Sequence, residues 1–189
     1  MLAEILKKSF DIYFNAPIEA WKEFADYCEL ITFDKNQIIK QQGTAEKYFY
    51  FIIKGSAGIF LWKDNNFVCL DFAFDYNFCG DYMSLLTQKP TELEVVALEK
   101  SEMARISRES FYHLGRKSVG KIIMQISAES SFVEKQQQQI DLLTKTAKER
   151  YKILQAKFPD IHQRIAQKHI ASYLGITPQS LSRIRNHKN

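Results

Sequence analysis

The chain has little of what anchors, cross-links or activates many small proteins. Its 189 residues include only three cysteines, Cys28, Cys69 and Cys79. They are widely spaced, odd in number and form no CxxC pair, which excludes a disulfide framework and implies a reducing, cytoplasmic setting. No apolar run reaches the roughly 18 residues that a membrane span requires. The N-terminus, MLAEILKKSFDIYF, carries Glu4, Lys7 and Lys8 where a secretion signal needs an unbroken apolar core, so it reads as a short amphipathic helix. The four histidines, His113, His162, His169 and His187, all lie outside the stretch from Cys28 to Ser107. That excludes a His-rich metal site there. No nucleophile paired with a base and no Gly-rich phosphate loop is present. The expectation is a protein that is not an enzyme and holds no metal or cofactor.

What is present is concentrated at the C-terminal end. With 46% hydrophobic and 25% charged residues the composition is that of a globular protein, long enough for one medium domain and one small one. Residues 167–185 read QKHIASYLGITPQSLSRIR. Ile170, Leu174, Ile176, Leu181 and Ile184 stand at the spacings that pack two short helices, with small Ala171 where the helices cross. Gly175 supplies the backbone angle a tight connection demands. Thr177 suits the N-cap of the second helix, and Pro178 its first turn. That helix then exposes Gln179, Ser182, Arg183 and Arg185. An ordinary helical hairpin has the same apolar pattern, so charge decides. Residues 146–189 hold nine Lys and Arg against two Asp and Glu, a net of +7, and the other 145 residues hold 17 against 20, a net of −3. A basic module on a mildly acidic body is the footprint of phosphate-backbone binding.

Ahead of this module the character changes twice. Helices are expected near Leu2 to Tyr13 and Pro17 to Tyr27. From Cys28 to Ser107 short aromatic and β-branched segments follow: CELITF, NQIIKQQ, YFYFIIKG, SAGIFLWK, FVCLDFAF, ELEVVAL and SEMARIS. Turn signals such as Gly55-Ser56 and Asp64-Asn65-Asn66 separate them. Many short strands with few helical interruptions argue for a β-roll or barrel. Leu61, Trp62, Phe72, Phe74, Tyr76 and Phe78 are expected in its interior or lining a pocket. A long helix then runs from about Ser118 to Lys148. Val119, Ile122, Ile126, Glu129, Val133, Gln136, Ile140, Leu143 and Ala147 step by three and four along it. Seven of these nine are apolar, which marks a coiled-coil seam for a second copy of the chain. Glu129 and Gln136 would fix register.

In this order, the flanking helices, β-roll, long helix and C-terminal helix-turn-helix resemble the cyclic-AMP receptor protein and fumarate-nitrate regulator family, over nearly the whole chain. The resemblance implies an α+β fold. Residues 1–117 form a cyclic-nucleotide-binding-like sensor domain, 118–146 a dimerisation helix, and 147–189 a helix-turn-helix DNA-binding domain. Val119, Ile122, Ile126, Val133, Gln136, Ile140 and Leu143 would make the dimer. In that family a Gly-Glu pair opens a short helix that cradles a cyclic phosphate, and an Arg with a Ser or Thr completes the cassette. Here Gly80-Asp81 stands at the first place, with Met83 and Ser84 in the short helix. Thr91-Glu92 stands at the second, which removes the bidentate cation and adds a carboxylate. Losing one partner of a buried charge pair costs roughly 2–5 kcal/mol, so tight binding of cyclic AMP or GMP is not expected.

Three cysteines cannot make the four-thiolate cluster of the family's oxygen sensors; haem ligation stays open. The resemblance places the second helix of the pair in the major groove. Gln179, Ser180, Ser182 and Arg183 then contact DNA, Arg183 suiting a guanine and Gln179 an adenine or a water, while Lys168, Thr177, Arg185 and Lys188 meet phosphates. Pro178 and Gln179 replace the family's usual Arg-Glu pair, so its usual half-site does not carry over. The function implied is a homodimeric transcription regulator of double-stranded DNA, with RNA polymerase as a further partner. Two alternatives stand beside it: an unidentified small effector held among Phe72, Phe74, Tyr82 and the glutamines 136–139, and a dimeric scaffold without DNA binding.

Overall fold

The computed structural model describes residues 1–63 and 66–186, without the side chains at 63, 118 and 119. Two helices, α1 (Leu2–Phe10) and α2 (Ile18–Asp26), precede eight strands. These are β1 (Cys28–Phe33), β2 (Ile38–Lys40), β3 (Tyr48–Lys54), β4 (Ala57–Lys63), β5 (Asn66–Ala73), β6 (Phe78–Cys79), β7 (Leu93–Ala97) and β8 (Ser101–Ser107). A short helix, α3 (Tyr82–Thr87), interrupts them after β6. Then come α4 (Arg108–Leu114), the long α5 (Ser118–Thr144), α6 (Ala147–Lys157), α7 (Ile161–Arg164), α8 (Gln167–Tyr173) and α9 (Pro178–Asn186).

The strands form two four-stranded antiparallel sheets, ordered β1-β8-β3-β6 and β2-β7-β4-β5. Period-two alternation divides their side chains between two faces. On β3, Tyr50 and Ile52 point between the sheets and join Phe33, Ala57, Ala73, Cys79, Val95, Ala97 and Met103 in the interior core. Phe49 and Phe51, one residue out of phase, pack outward against Leu6, Phe10, Trp21, Phe111 and Ile123 of the helices. The second sheet is covered on its outer face by the C-terminal helices. There Phe60, Cys69, Phe72, Phe74 and Leu98 merge with Tyr151, Leu154, Ile161, Ile165, Ile170, Leu174 and Leu181 into one cluster. Three buried layers therefore sandwich two sheets.

Each strand segment read from the sequence is found within a residue or two of its expected span. The interior residues differ. Phe72 and Phe74 are buried, yet they face the C-terminal helices, Phe72 in tilted ring contact with Tyr173 and Phe74 with Phe158. Trp62 and Tyr76 are exposed, and Phe78 packs beside Phe10 and Phe49. A bulge between Ile59 and Phe60 shifts the phase of the β4–β5 pairing, so alternation counted from the turn misassigns the faces.

The long helix is also shorter than the expected Ser118 to Lys148. It ends at Thr144 because Thr146 caps a new one: its Oγ1 accepts from the Glu149 amide (3.3 Å), and the Glu149 carboxylate accepts from the Thr146 amide (2.8 Å). This capping box pulls Thr146 into extended backbone and breaks the run. At the other end, Gly120 allows α5 to cross the end of α4, since a Cβ there would collide with the Leu114 carbonyl.

Candidate functional site

The stretch expected to cradle a phosphate is closed upon itself. Gly80 adopts φ +135°, and Asp81 follows as the N-cap of α3, its Oδ1 accepting from the Ser84 amide (3.0 Å). Its Oδ2 lies 3.0 Å from the ammonium of Lys40, and both side chains are buried. The same ammonium donates to Thr91 Oγ1 (2.9 Å) and to the Leu93 carbonyl (2.8 Å), while the Thr91 hydroxyl donates to Asp81. Lys40 therefore has an acceptor for each of its three donors. Ser84 is buried as well. Its Oγ accepts from the Glu46 amide (2.9 Å) and donates to the Lys89 carbonyl (2.6 Å). Glu46 accepts from the amides of Lys47 (2.9 Å) and Tyr48 (3.2 Å); burial, followed by the nearby Asp81 charge, holds its carboxyl above the usual range against those amides.

One expectation is corrected here. Glu92 is exposed and accepts from Gln42 (2.6 Å), so it places no carboxylate in the site. Met83 lies in α3, with its side chain exposed. What the sequence reading missed is Lys40, which supplies the cation that an arginine would otherwise bring. No local signal marked it: regular alternation would place Lys40 on the exposed side with Ile38, and the irregular pairing of β2 with β7 turns it inward instead.

Beside this network opens a cavity of about 890 Å³ between α1, β5, the β5–β6 turn and α5. Phe10, Phe49, Phe72, Phe78, Leu93 and Ile126 give it an apolar wall; Lys8, Glu134, Lys135 and Lys157 stand among its lining residues. Of the residues expected to hold an effector, Phe72 and Tyr82 line it, whereas Phe74 and the glutamines 136–139 do not. Their place is taken by Ser127, Ser130 and Ser131. The Oγ of Ser127 is buried without a hydrogen-bond partner.

The C-terminal helices α8 and α9 are joined by residues 174–177. Ala171 is fully buried at the α8–α9 crossing, Gly175 takes φ +66°, and the Thr177 Oγ1 accepts from the Ser180 amide (3.1 Å) to cap α9. Ser180 is thereby engaged in the cap. Gln179, Arg183 and Arg185 are exposed, Ser182 is half-buried, and Lys168 and Thr177 are exposed. Lys188 lies outside the described residues.

On α5 the expected seam is laid bare. Ile122, Val133, Gln136, Ile140 and Leu143 are exposed, Val133 and Leu143 by 64% and 78%, and Ile126 is half-buried. The Val119 side chain lies outside the description. Burial pushes the Cys28 thiol up to about 12 and raises those of Cys69 and Cys79 as well. Among the described residues no three His, Cys, Asp or Glu side chains are placed to hold a metal ion, and no helix is long and apolar enough to cross a membrane.

This two-sheet roll with its capped short helix is a recognised type. Residues 30–118 match the family of the cyclic nucleotide-binding domain. Solved structures extend the likeness past that stretch. FixK2 from Bradyrhizobium japonicum is 16% identical, covering 84% of this chain and 83% of that one at a TM-score of 0.70. CLP from Xanthomonas campestris, a c-di-GMP responsive global regulator, is 16% identical with 90% of each chain covered and a TM-score of 0.67. The catabolite activator protein of Thermus thermophilus is 19% identical over 94% of this chain and 84% of that one, at 0.59. At such identities the shared property is the fold, from the N-terminal helices to the C-terminal ones. No curated protein sequence matches the chain significantly.

Proposed function

We propose that the chain is a transcription regulator of the cyclic-AMP receptor protein and fumarate-nitrate regulator family, binding double-stranded DNA as a homodimer without a cyclic-nucleotide signal. The observation that carries this reading is α9: capped by Thr177, anchored by buried Leu181, and presenting Gln179 and Arg183 to solvent on a module of net charge +7. Arg183 would make bidentate contact with a base edge, and Lys168 and Arg185 would meet phosphates. The bare seam of α5 is the surface for a second copy, which would set two α9 helices in successive major grooves about 34 Å apart. Residues 1–117, 118–146 and 147–189 are the sensor, dimerisation and DNA-binding parts of that reading, and no reaction is assigned to any of them.

Independence from cyclic AMP and GMP rests on Lys40. A cyclic phosphate needs an unoccupied cation at the start of α3, and the cation there is committed to Asp81, Thr91 and Leu93. Capture of sheared genomic DNA by the purified protein, with and without cyclic AMP, tests both parts. One pseudo-palindromic motif enriched equally in the two conditions is the expected result. Enrichment only with cyclic AMP would overturn the independence, and no enrichment in either would remove the DNA reading.

A second reading adds an effector. The 890 Å³ cavity with the unpartnered Ser127 hydroxyl on its wall is of a size and character that hold a small, largely apolar molecule. Calorimetric titration of compounds against the protein and a Phe72→Asp variant would test it.

A further inference from the structure

Only two extended residues join α5 to the helices that follow: Lys145 (φ −113°, ψ 146°) and Thr146 (φ −67°, ψ 159°). Two such residues set no orientation by themselves. Contacts beyond the junction do so. Arg150 and Lys157 of α6 reach back to the Lys145 carbonyl (2.6 Å) and to Glu134 of α5 (3.1 Å). Of the polar contacts made with the roll, one side chain gathers most. The guanidinium of Arg164, at the end of α7, sits 2.7 Å from Asp75 Oδ2 through Nη1. It donates twice to Glu99 Oε1, through Nε (3.0 Å) and Nη2 (2.6 Å), and Nη2 also donates to the Gly55 carbonyl (2.8 Å). Its carbon lies 4.9 Å from the centre of the Phe74 ring. All four partners belong to the roll. Among the described residues of its own module, Arg164 makes a weak approach to Asp160 at 3.8 Å. Ser172 of α8 adds a second tie, its Oγ accepting from the Cys69 amide (2.9 Å) and donating to the Phe67 carbonyl (3.2 Å).

The arrangement leaves the surface meant for DNA untouched. Gln179 and Arg183 are exposed while Arg164 is engaged, and none of the Arg164 partners lies on α8 or α9. A planar guanidinium held by two carboxylates and a carbonyl fixes angle as well as distance, which a lysine cannot do. We infer that Arg164 is a positioning residue for DNA binding: it clamps each C-terminal module to its own roll and so sets the separation and tilt of the two α9 helices in the dimer. This inference rests on the reading that α9 meets DNA. Asp75 and Glu99 keep partial exposure, so solvent takes up their charges once the arginine is gone and the chain still folds.

The test uses full-length wild type, Arg164→Ala, Arg164→Lys, the roll-side double variant Asp75→Asn with Glu99→Gln, and Arg183→Ala. Duplexes enriched from a random-sequence library by the wild type are rebuilt with the half-sites moved one base pair closer or farther, and as single half-sites. Wild type should favour one spacing sharply. Arg164→Ala and the double variant should bind that spacing about ten-fold more weakly and lose less on the altered ones, flattening the profile, with single half-sites bound as before. Arg164→Lys should restore the profile only in part, and Arg183→Ala should weaken every spacing alike. Amide exchange at Cys69 should quicken in Arg164→Ala while Ile170 and Leu174 stay protected, which separates loss of the clamp from loss of the fold. A wild-type-sharp profile in Arg164→Ala and in the double variant would overturn the inference and leave the DNA reading standing. A library from which wild type enriches nothing would overturn the DNA reading and the inference with it.

Discussion

The start of α3 and the exposed face of α5 present opposite states of the same chain. At α3 every strong group has found a partner inside: Lys40 with Asp81, Thr91 and Leu93, and Ser84 with Glu46 and Lys89. Along α5 a row of large apolar side chains, with Val133 and Leu143 foremost, has found none. One region has satisfied its polar groups internally, and the other leaves apolar surface exposed. The difference says where to look for function. Closed polar networks specify the fold, while open surfaces need something from outside.

The most severe way to break this contrast is to open the closed end. Lys40→Met strands a buried carboxylate and should lower unfolding free energy by about 3–5 kcal/mol, with the double variant Lys40→Met, Asp81→Asn recovering most of it in denaturant titrations. Equal loss in both variants would show that Lys40 matters only as packing. Closing the open face is next. Val133→Asp should weaken self-association by about 100-fold in sedimentation equilibrium while the melting of the subunit barely changes. On α9, Arg183→Ala should lose about 1–3 kcal/mol on the preferred duplex and relax one base position; an equal loss on every sequence would make it a phosphate contact.

Smaller effects sharpen the picture. His169 lies between Phe60 and Phe67, and burial, then the Lys168 charge, lowers its pKa to about 4. The folded chain thus resists a proton that the unfolded chain accepts near pH 6.5. Stability should be full above that value and decline as pH falls from about 6.5 to 4, and His169→Gln should flatten that part of a urea-midpoint profile. The least effect is expected at the α5–α6 break, where Thr146→Ala removes a cap and should cost about 1 kcal/mol.

How much of this was visible in the sequence follows from the range of each interaction. Tyr48–Lys54 reads YFYFIIK, a run of aromatic and β-branched residues, so its strand was legible, while burial on both sides left no alternation from which to read its faces. Thr177, Gly175 and Pro178 signal the last helix pair through contacts a few residues apart. The short helices α4 and α7 carried too few turns to register. The Lys40–Thr91 bond spans 51 residues and the Arg164–Glu99 bond 65. No local pattern encodes such pairs, so a lysine on a strand and an arginine after a short helix passed as solvated surface. The same holds for Glu92, whose charge mattered in sequence only because its direction was unknown.

The Cys69–Ser172 bond has a consequence for how the molecule is made. Strand β5 lies at the margin of its sheet, and the residue that occupies its Cys69 amide comes 103 positions later. Translation at about 5–20 residues per second leaves that margin, with Phe67 and Phe72 along it, uncovered for roughly 5–20 s after it emerges. During that interval the nascent roll offers unpaired backbone and aromatic rings to any neighbouring strand. The C-terminal helices thus act as a late-arriving cover, and crowded synthesis or early termination would favour aggregation over folding.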